Sequence, residues 1–270
     1  MPPATSLLPR RIVCLTEETV ETLYALGEDE RIVGISGFTV RPAIARKTKP
    51  KVSTYLDANF QKILDLRPDM VFAWSDLQAD ICARLIREGV EVMCFNHRSA
   101  EGILGMITKV GALVGKTAVA GRYARSLRQT LVAVQRRAAQ RTRRPRVLFE
   151  EWYDPLITGI CWVSELIELC GGTDIYRENS AYPDAKRRII ADMSEVIHRS
   201  PDILIASWCG KGFKPDKVRA RPGWQAIPAV RDGQLYEIHS SIILQPGPAA
   251  LTDGVRAIET IYDTWEQTTR

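Results

Sequence analysis

The sequence predicts an α/β protein made of two doubly wound parallel-sheet lobes, related by a pseudo-repeat and joined by one long helix. Three observations carry this reading. Short apolar, β-favouring runs alternate with amphipathic helical runs, the mark of a parallel sheet wound on both faces. The segment ILDLRPDMVFAWSD (residues 63–76) is echoed by VIHRSPDILIASWCG (196–210), each reading as helix, Pro-Asp turn, buried strand and terminal Trp. Residues 117–141 hold no Pro and one Gly, Gly121, with Val119, Tyr123, Leu127, Leu131 and Val134 at three- or four-residue spacing.

Taken in order, residues 11–15 read as a strand, followed by a helix that Gly27 closes and a strand at 31–36. A loop leads to a helix at 60–66, which Pro68 stops, and then to a strand at 70–74 apolar enough to be buried on both faces. A helix at 77–88, a strand at 91–95 and a helix at 100–114 complete the first lobe. The helix at 117–141, rising about 1.5 Å per residue, spans roughly 37 Å. RRPRVLFEEW opens the second lobe with a new strand, and residues 159–176 echo 16–36 as a helix closed by Gly171 and Gly172. The expected domains are 1–116, the linking helix 117–144, and 145–270.

An apolar content of 45% over 270 residues is enough for real cores, and 26% charge argues against both disorder and a coiled coil. No run approaches the roughly 20 apolar residues of a membrane helix, so no membrane insertion is expected. The net charge of +5 is misleading: residues 122–146 carry nine Arg and no acid, and the rest of the chain is acidic. That cluster reads as the solvated face of a helix and its exit loop, and no nucleic-acid partner is expected. MPPATSLLPRRIVCL contains no signal-peptide core, and the six cysteines include no CxxC pair. A cytoplasmic location with reduced thiols is therefore expected, with a periplasmic one as the alternative if a leader is missing from this chain.

RIVCLTEETVETLYALGEDERIVGIS, KVSTYLDANFQKILDLRPDMVFAW, GVEVMCFNHRSAEGI, WVSELIELCGG and RPGWQAIPAVRDGQLYEI follow one another in an order that resembles the substrate-binding proteins of cobalamin and iron-siderophore ABC transporters. The resemblance runs from about residue 11 to residue 263. It implies a solute-binding protein that captures a corrinoid, cobalamin-like macrocycle or metal chelate in a cleft between its lobes, with no tightly required cofactor. It also implies an ABC-transporter permease as partner. Asp80 matches the acid with which the first lobe of such proteins docks, whereas SSIILQPGPAAL, at the matching place in the second lobe, has no acid.

Ligands of open parallel sheets lie beyond the carboxyl ends of the strands. The candidates there are Phe38, Tyr55, Trp74, Ser75, Asp76, His97 and Arg98 in the first lobe, and Glu151, Trp152, Trp162, Trp208, Lys211 and Gln245 in the second. Aromatic walls with a few polar groups suit a flat or bulky ligand, and Trp74 and Trp208 are expected to form opposing walls. Trp162 fits cleft or core, while Trp224 and Trp265 read as packing residues. His97 and Arg98 can hold an anionic group, or His97 a metal carried by the ligand; equally, both fit a solvated helix N-cap. Glu151 is expected to balance Arg98.

The chain has no GxSxG elbow, Walker loop, GxGxxG after its first strand or HExxH, so no enzyme and no resident metal is expected. Cys209, beside Lys211, is the one candidate nucleophile. Two alternatives to solute capture for a transporter stand: a cytoplasmic sensor or carrier of a smaller anionic or metal-chelate solute, and a cleft enzyme using Cys209.

Overall fold

A computed structural model describes residues 7–268. They divide into two compact units: the chain up to His97 with Glu101–Arg128, and Arg98–Ala100 with the chain from Gln129.

The elements of the first half are β1 (Ile12–Cys14), α1 (Glu17–Ala25), β2 (Ile32–Ser36), α2 (Ala43–Thr48), β3 (Lys51–Ser53), α3 (Phe60–Asp65), β4 (Met70–Trp74), α4 (Ala79–Arg87), β5 (Val92–Phe95), α5 (Ala100–Leu113) and α6 (Thr117–Ala138). The strands form one sheet in the order β3-β2-β1-β4-β5, parallel throughout. Every residue of β1 and β4 is buried, as a sheet covered on both faces requires. One face packs Val13, Leu15, Val71 and Ala73 against Ile63 and Leu85 of the flanking helices. Sequence reading leaves a loop where α2 and β3 form. Three-residue β3, with Lys51 exposed on the sheet edge, is too short to show an alternation.

Helix α6 buries Ala120, Ala124, Leu127, Leu131, Val134 and Ala138. At its N-terminal end the buried stripe therefore falls on small residues, with Val119 and Tyr123 half-buried beside it. The cause is close approach: a Cβ added to Gly111 of α5 would stand 2.1 Å from the Ala120 Cβ.

The second unit continues with β6 (Arg146–Tyr153), β7 (Leu156–Thr158), α7 (Cys161–Leu169), β8 (Thr173–Asp174), α8 (Ser194–Arg199), β9 (Ile203–Ala206), α9 (Pro215–Arg219), α10 (Pro228–Arg231), β10 (Leu235–Glu237), α11 (Ser240–Ile243), a π-helical turn at Ala250–Gly254, and α12 (Val255–Thr268). Its sheet runs β10-β9-β6-β7, with β8 also on β6. All pairs are parallel except β6–β7, where the Asp154-Pro155 turn reverses the chain. The parallel sheet thus carries one antiparallel strand, β7, at its edge.

The Arg cluster is more than a solvated face. Arg122, Arg125 and Arg136 are exposed, but Arg137 makes a two-pronged pair with Glu259 of α12 at 2.8 and 2.9 Å. Arg141 meets Asp263 at 2.6 Å and Glu266 at 3.1 Å, and the Arg143 guanidinium lies 4.3 Å from the Trp265 ring centroid. Among the described residues, no helix is long and apolar enough to cross a membrane.

Candidate ligand-binding site

The strand order of the first sheet changes direction between β1 and β4, and the carboxyl ends of such strands are where open sheets bind ligands. At the end of β1 the chain passes through Thr16 into Glu17 and Glu18, both almost wholly buried. Glu17 Oε2 accepts the Val40 amide at 2.9 Å, and Glu18 Oε1 accepts the Thr16 hydroxyl at 2.5 Å. The second oxygen of each carboxyl, with the Thr39 hydroxyl, has no hydrogen-bond partner among the described residues. Desolvation pushes Glu17 up to about 8 and Glu18 up to about 7, so both take up protons near neutral pH. Sequence reading missed them, because two acids in the first turn of a helix look like ordinary dipole partners.

At the end of β4, buried Gln78 ties three strand ends together. Its carbonyl accepts the Trp74 amide at 3.0 Å, and its amide donates to the Tyr55 carbonyl at 3.0 Å and the Leu15 carbonyl at 3.5 Å. Ser75, at φ 66°, turns the chain here, and its hydroxyl accepts the Leu77 amide at 3.3 Å. Around this edge Phe38 is 58% exposed, Leu56 65% and Leu77 54%, with Tyr55 half-buried and Asp76 exposed. Sequence reading named Phe38, Tyr55 and Asp76 but not the two leucines, whose signal was an apolar residue inside a turn.

Trp74 departs from its expected place. It is 4% exposed, and its indole N–H donates to the His97 carbonyl at 3.1 Å. The His97 ring stands edge-on to both Trp74 and Phe95, at 6.3 Å from each. Arg98 donates to the Pro183 carbonyl at 3.4 Å. Glu151 does not balance Arg98: it is paired through both oxygens with Arg188, at 2.5 and 3.2 Å. Arg188 is almost fully buried beside β7 and also donates to the Thr158 carbonyl, so it reaches Glu151 from within the same sheet layer.

In the second unit the corresponding change of direction lies between β6 and β9. Trp208 is 3% exposed; its indole N–H donates to Glu150 Oε2 at 3.3 Å, and its ring packs 4.7 Å from Tyr153 and 5.1 Å from Phe213. Trp162, 2% exposed, donates to the Ile243 carbonyl at 2.8 Å from within α7. Like Trp74, these two are buried within their own units and leave almost none of the indole exposed. Trp152 is half-buried, with its indole N–H on the Asp154 carbonyl at 2.9 Å. Its ring lies 5.3 Å from Tyr153, and Lys211 Nζ stands 4.9 Å from its centroid. Beneath them, fully buried Glu150 is paired with Arg221, which also donates to the Tyr153 carbonyl at 3.1 Å. Gln245 is half-buried past the end of α11. Trp152, Tyr153 and Lys211 thus form one partly exposed group; sequence reading missed Tyr153 because it follows the expected strand end by a single residue.

Asp80 is exposed in the first turn of α4. Cys209 is exposed, but partial desolvation and then the Glu151 carboxylate raise its thiol pKa, the opposite of an activated nucleophile. His239 Nδ1 lies 2.8 Å from the Ser241 hydroxyl, at the start of α11. The described residues contain no cluster of three or more His, Cys, Asp or Glu able to hold a metal ion.

Comparison with known proteins adds three findings. Residues 12–242 match the family model described as periplasmic binding protein. The chain is 26% identical over 254 residues to a vitamin B12-binding protein of Vibrio parahaemolyticus, covering 92% of this chain and 88% of that one. It is also 26% identical over 270 residues to an uncharacterised ABC transporter substrate-binding lipoprotein of Bacillus subtilis, covering 96% and 82%. Among solved structures, the periplasmic heme-binding protein of Roseiflexus in apo form superposes with a TM-score of 0.78 at 23% identity, over 93% of this chain and 98% of that one. These matches overturn the expected cytoplasmic location: the matching family is one of periplasmic proteins and one relative is a lipoprotein, both outside the cytoplasm.

Proposed function

The chain belongs to the periplasmic binding protein family, and from that premise we propose that it is the substrate-binding component of an ABC importer for a flat, bulky ligand, a corrinoid or another metal-chelating macrocycle. The observation that carries this reading is the concentration of accessible aromatic and apolar groups at the carboxyl ends of both sheets. Phe38, Tyr55, Leu56 and Leu77 lie there in one unit, and Trp152 and Tyr153 in the other. Such a surface suits the large apolar face of a macrocycle better than a small polar solute. Relatives named for vitamin B12 and heme support the ligand class. Asp76, His97, Arg98, Lys211 and Gln245 supply polar contacts around this surface, and Asp80 faces the permease. Desolvation raises the Cys209 thiol pKa, which argues against the candidate nucleophile acting as one.

Quenching of tryptophan fluorescence by cyanocobalamin and by hemin tests the reading. Saturable binding of either, at one ligand per chain, is expected. Absence of both, together with a small polar solute found by mass spectrometry on natively purified protein, would overturn it.

A further inference from the structure

Lys211 and Lys217 both crowd one tyrosine. Lys217 Nζ lies 4.3 Å from the Tyr153 ring centroid, and Lys211 Nζ lies 5.5 Å from it while standing 4.9 Å from that of Trp152. Both lysines are exposed, and neither forms an ion pair among the described residues. Four carboxylates on the same segments are engaged elsewhere, while Asp154, next to Tyr153 in the chain, is exposed. Glu150 pairs with Arg221, Glu151 with Arg188 and Asp216 with Arg219, while Glu237 accepts the Phe213 amide at 3.0 Å. Two like charges are thus held on one ring, with no ion pair to either among the described residues. The phenol registers their field: Lys217 and then Lys211 hold Tyr153 below the usual tyrosine range.

The aromatic frame behind this charge is closely packed. The Tyr153 ring is wedged between Trp152 and Trp208, whose centroids lie 5.3 and 4.7 Å away, and Arg221 fixes its backbone carbonyl at 3.1 Å. Two ammoniums and a phenol O–H beside the half-exposed face of Trp152 make a set of donors for a carboxylate and a wall for the ring that bears it. The amide arms of a corrinoid offer the ammoniums only neutral carbonyl acceptors; a porphyrin with free carboxylates also neutralises their charge.

We propose that Tyr153, Lys211 and Lys217 form a receptor for the carboxylate arm of a planar macrocycle stacked on Trp152, so that this chain selects carboxylate-bearing rings over amidated or esterified ones. This inference rests on macrocycle capture as the function. The test compares hemin, hemin dimethyl ester and cyanocobalamin on the whole chain and on Lys211→Ala/Lys217→Ala. Hemin is expected to bind at least about tenfold more tightly than its ester, and the double variant to lose that preference. Because both lysines are exposed, the variant should melt with the parent. In ultraviolet difference titrations against Tyr153→Phe, the Tyr153 phenol should ionise at higher pH once the lysines are removed. Equal binding of hemin and ester by the parent, a preference that survives in the double variant, or binding of cyanocobalamin alone would overturn the receptor and leave macrocycle capture standing. Failure of all three probes would overturn both.

Discussion

Asp69 and Arg11 exchange hydrogen bonds across the start of the first sheet: the Asp69 carboxylate accepts the Arg11 amide at 2.9 Å, and the Arg11 carbonyl accepts the Asp69 amide at 3.0 Å. The Arg11 guanidinium also donates to the Leu66 carbonyl at the end of α3, at 2.6 Å. Asp202 and Arg146 repeat this in the second unit, with both backbone exchanges at 2.8 Å and the Arg146 guanidinium on the Arg199 carbonyl at the end of α8. In each copy a left-handed residue, Arg67 or Ser200, precedes the Pro-Asp pair. The echo seen as LRPD and RSPD is thus a duplicated clasp joining a helix end to the strand that opens its sheet. Asp69→Ala and Asp202→Ala should each cost about 1 kcal/mol, read as a lower urea midpoint at unchanged slope.

Burial decides what the tryptophans do. Trp74→Ala and Trp208→Ala should destabilise the fold by about 3–5 kcal/mol, through lost packing and the cavity left behind. Trp152→Ala should leave the melting temperature nearly unchanged and weaken macrocycle binding about tenfold. Paired calorimetry and fluorescence titration separate the two outcomes.

The buried carboxyls of α1 set a pH dependence with a definite sign. Glu17 and Glu18 bind protons more tightly folded than unfolded, at about 8 and about 7. Their contribution to stability is therefore fully present below the ordinary carboxylate range and is lost as pH rises through those values. Glu17→Gln and Glu18→Gln should each melt at higher temperature than the parent at pH about 8.5, and the gap should close toward pH about 5. A gap that does not change with pH would mean that the carboxyls ionise as in water.

Arg188 and Glu151 test a partly buried ion pair. Arg188→Ala should cost about 3 kcal/mol by leaving Glu151 without its counter-charge. Adding Glu151→Ala should recover part of that loss, a coupling that a double-mutant cycle in urea measures directly.

Much of the fold was legible because its devices are local. The alternation of runs, the Pro-Asp stops and the glycine caps each act within a few residues, and the strands at 70–74 and the helix from Thr117 appear where those signals put them. What stayed hidden depends on partners far along the chain. The β7 reversal, the place of α6's buried stripe and the pairing of Glu151 with Arg188 follow from contacts that no window of sequence contains. For the site, sequence position identified strand ends correctly but could not tell an indole that ends a strand facing outward, as Trp152 does, from ones folded under, as Trp74 and Trp208 are. Glu17 and Glu18 escaped because only burial distinguishes them from ordinary helix-start acids.

Two arginines at the end of α6 and just beyond it, Arg137 and Arg141, have their counter-ions supplied by the chain itself. Glu259, Asp263 and Glu266 on α12 do for Arg137 and Arg141 what the phosphates of a polyanion would do, and Trp265 covers Arg143. Helix α12 is therefore a built-in competitor against stray acidic polymers. A chain clipped within α12 should uncover a basic strip and cling to heparin at salt concentrations that release the intact protein. Retention on such a column would then report the integrity of α12 before any change in ligand binding could be seen.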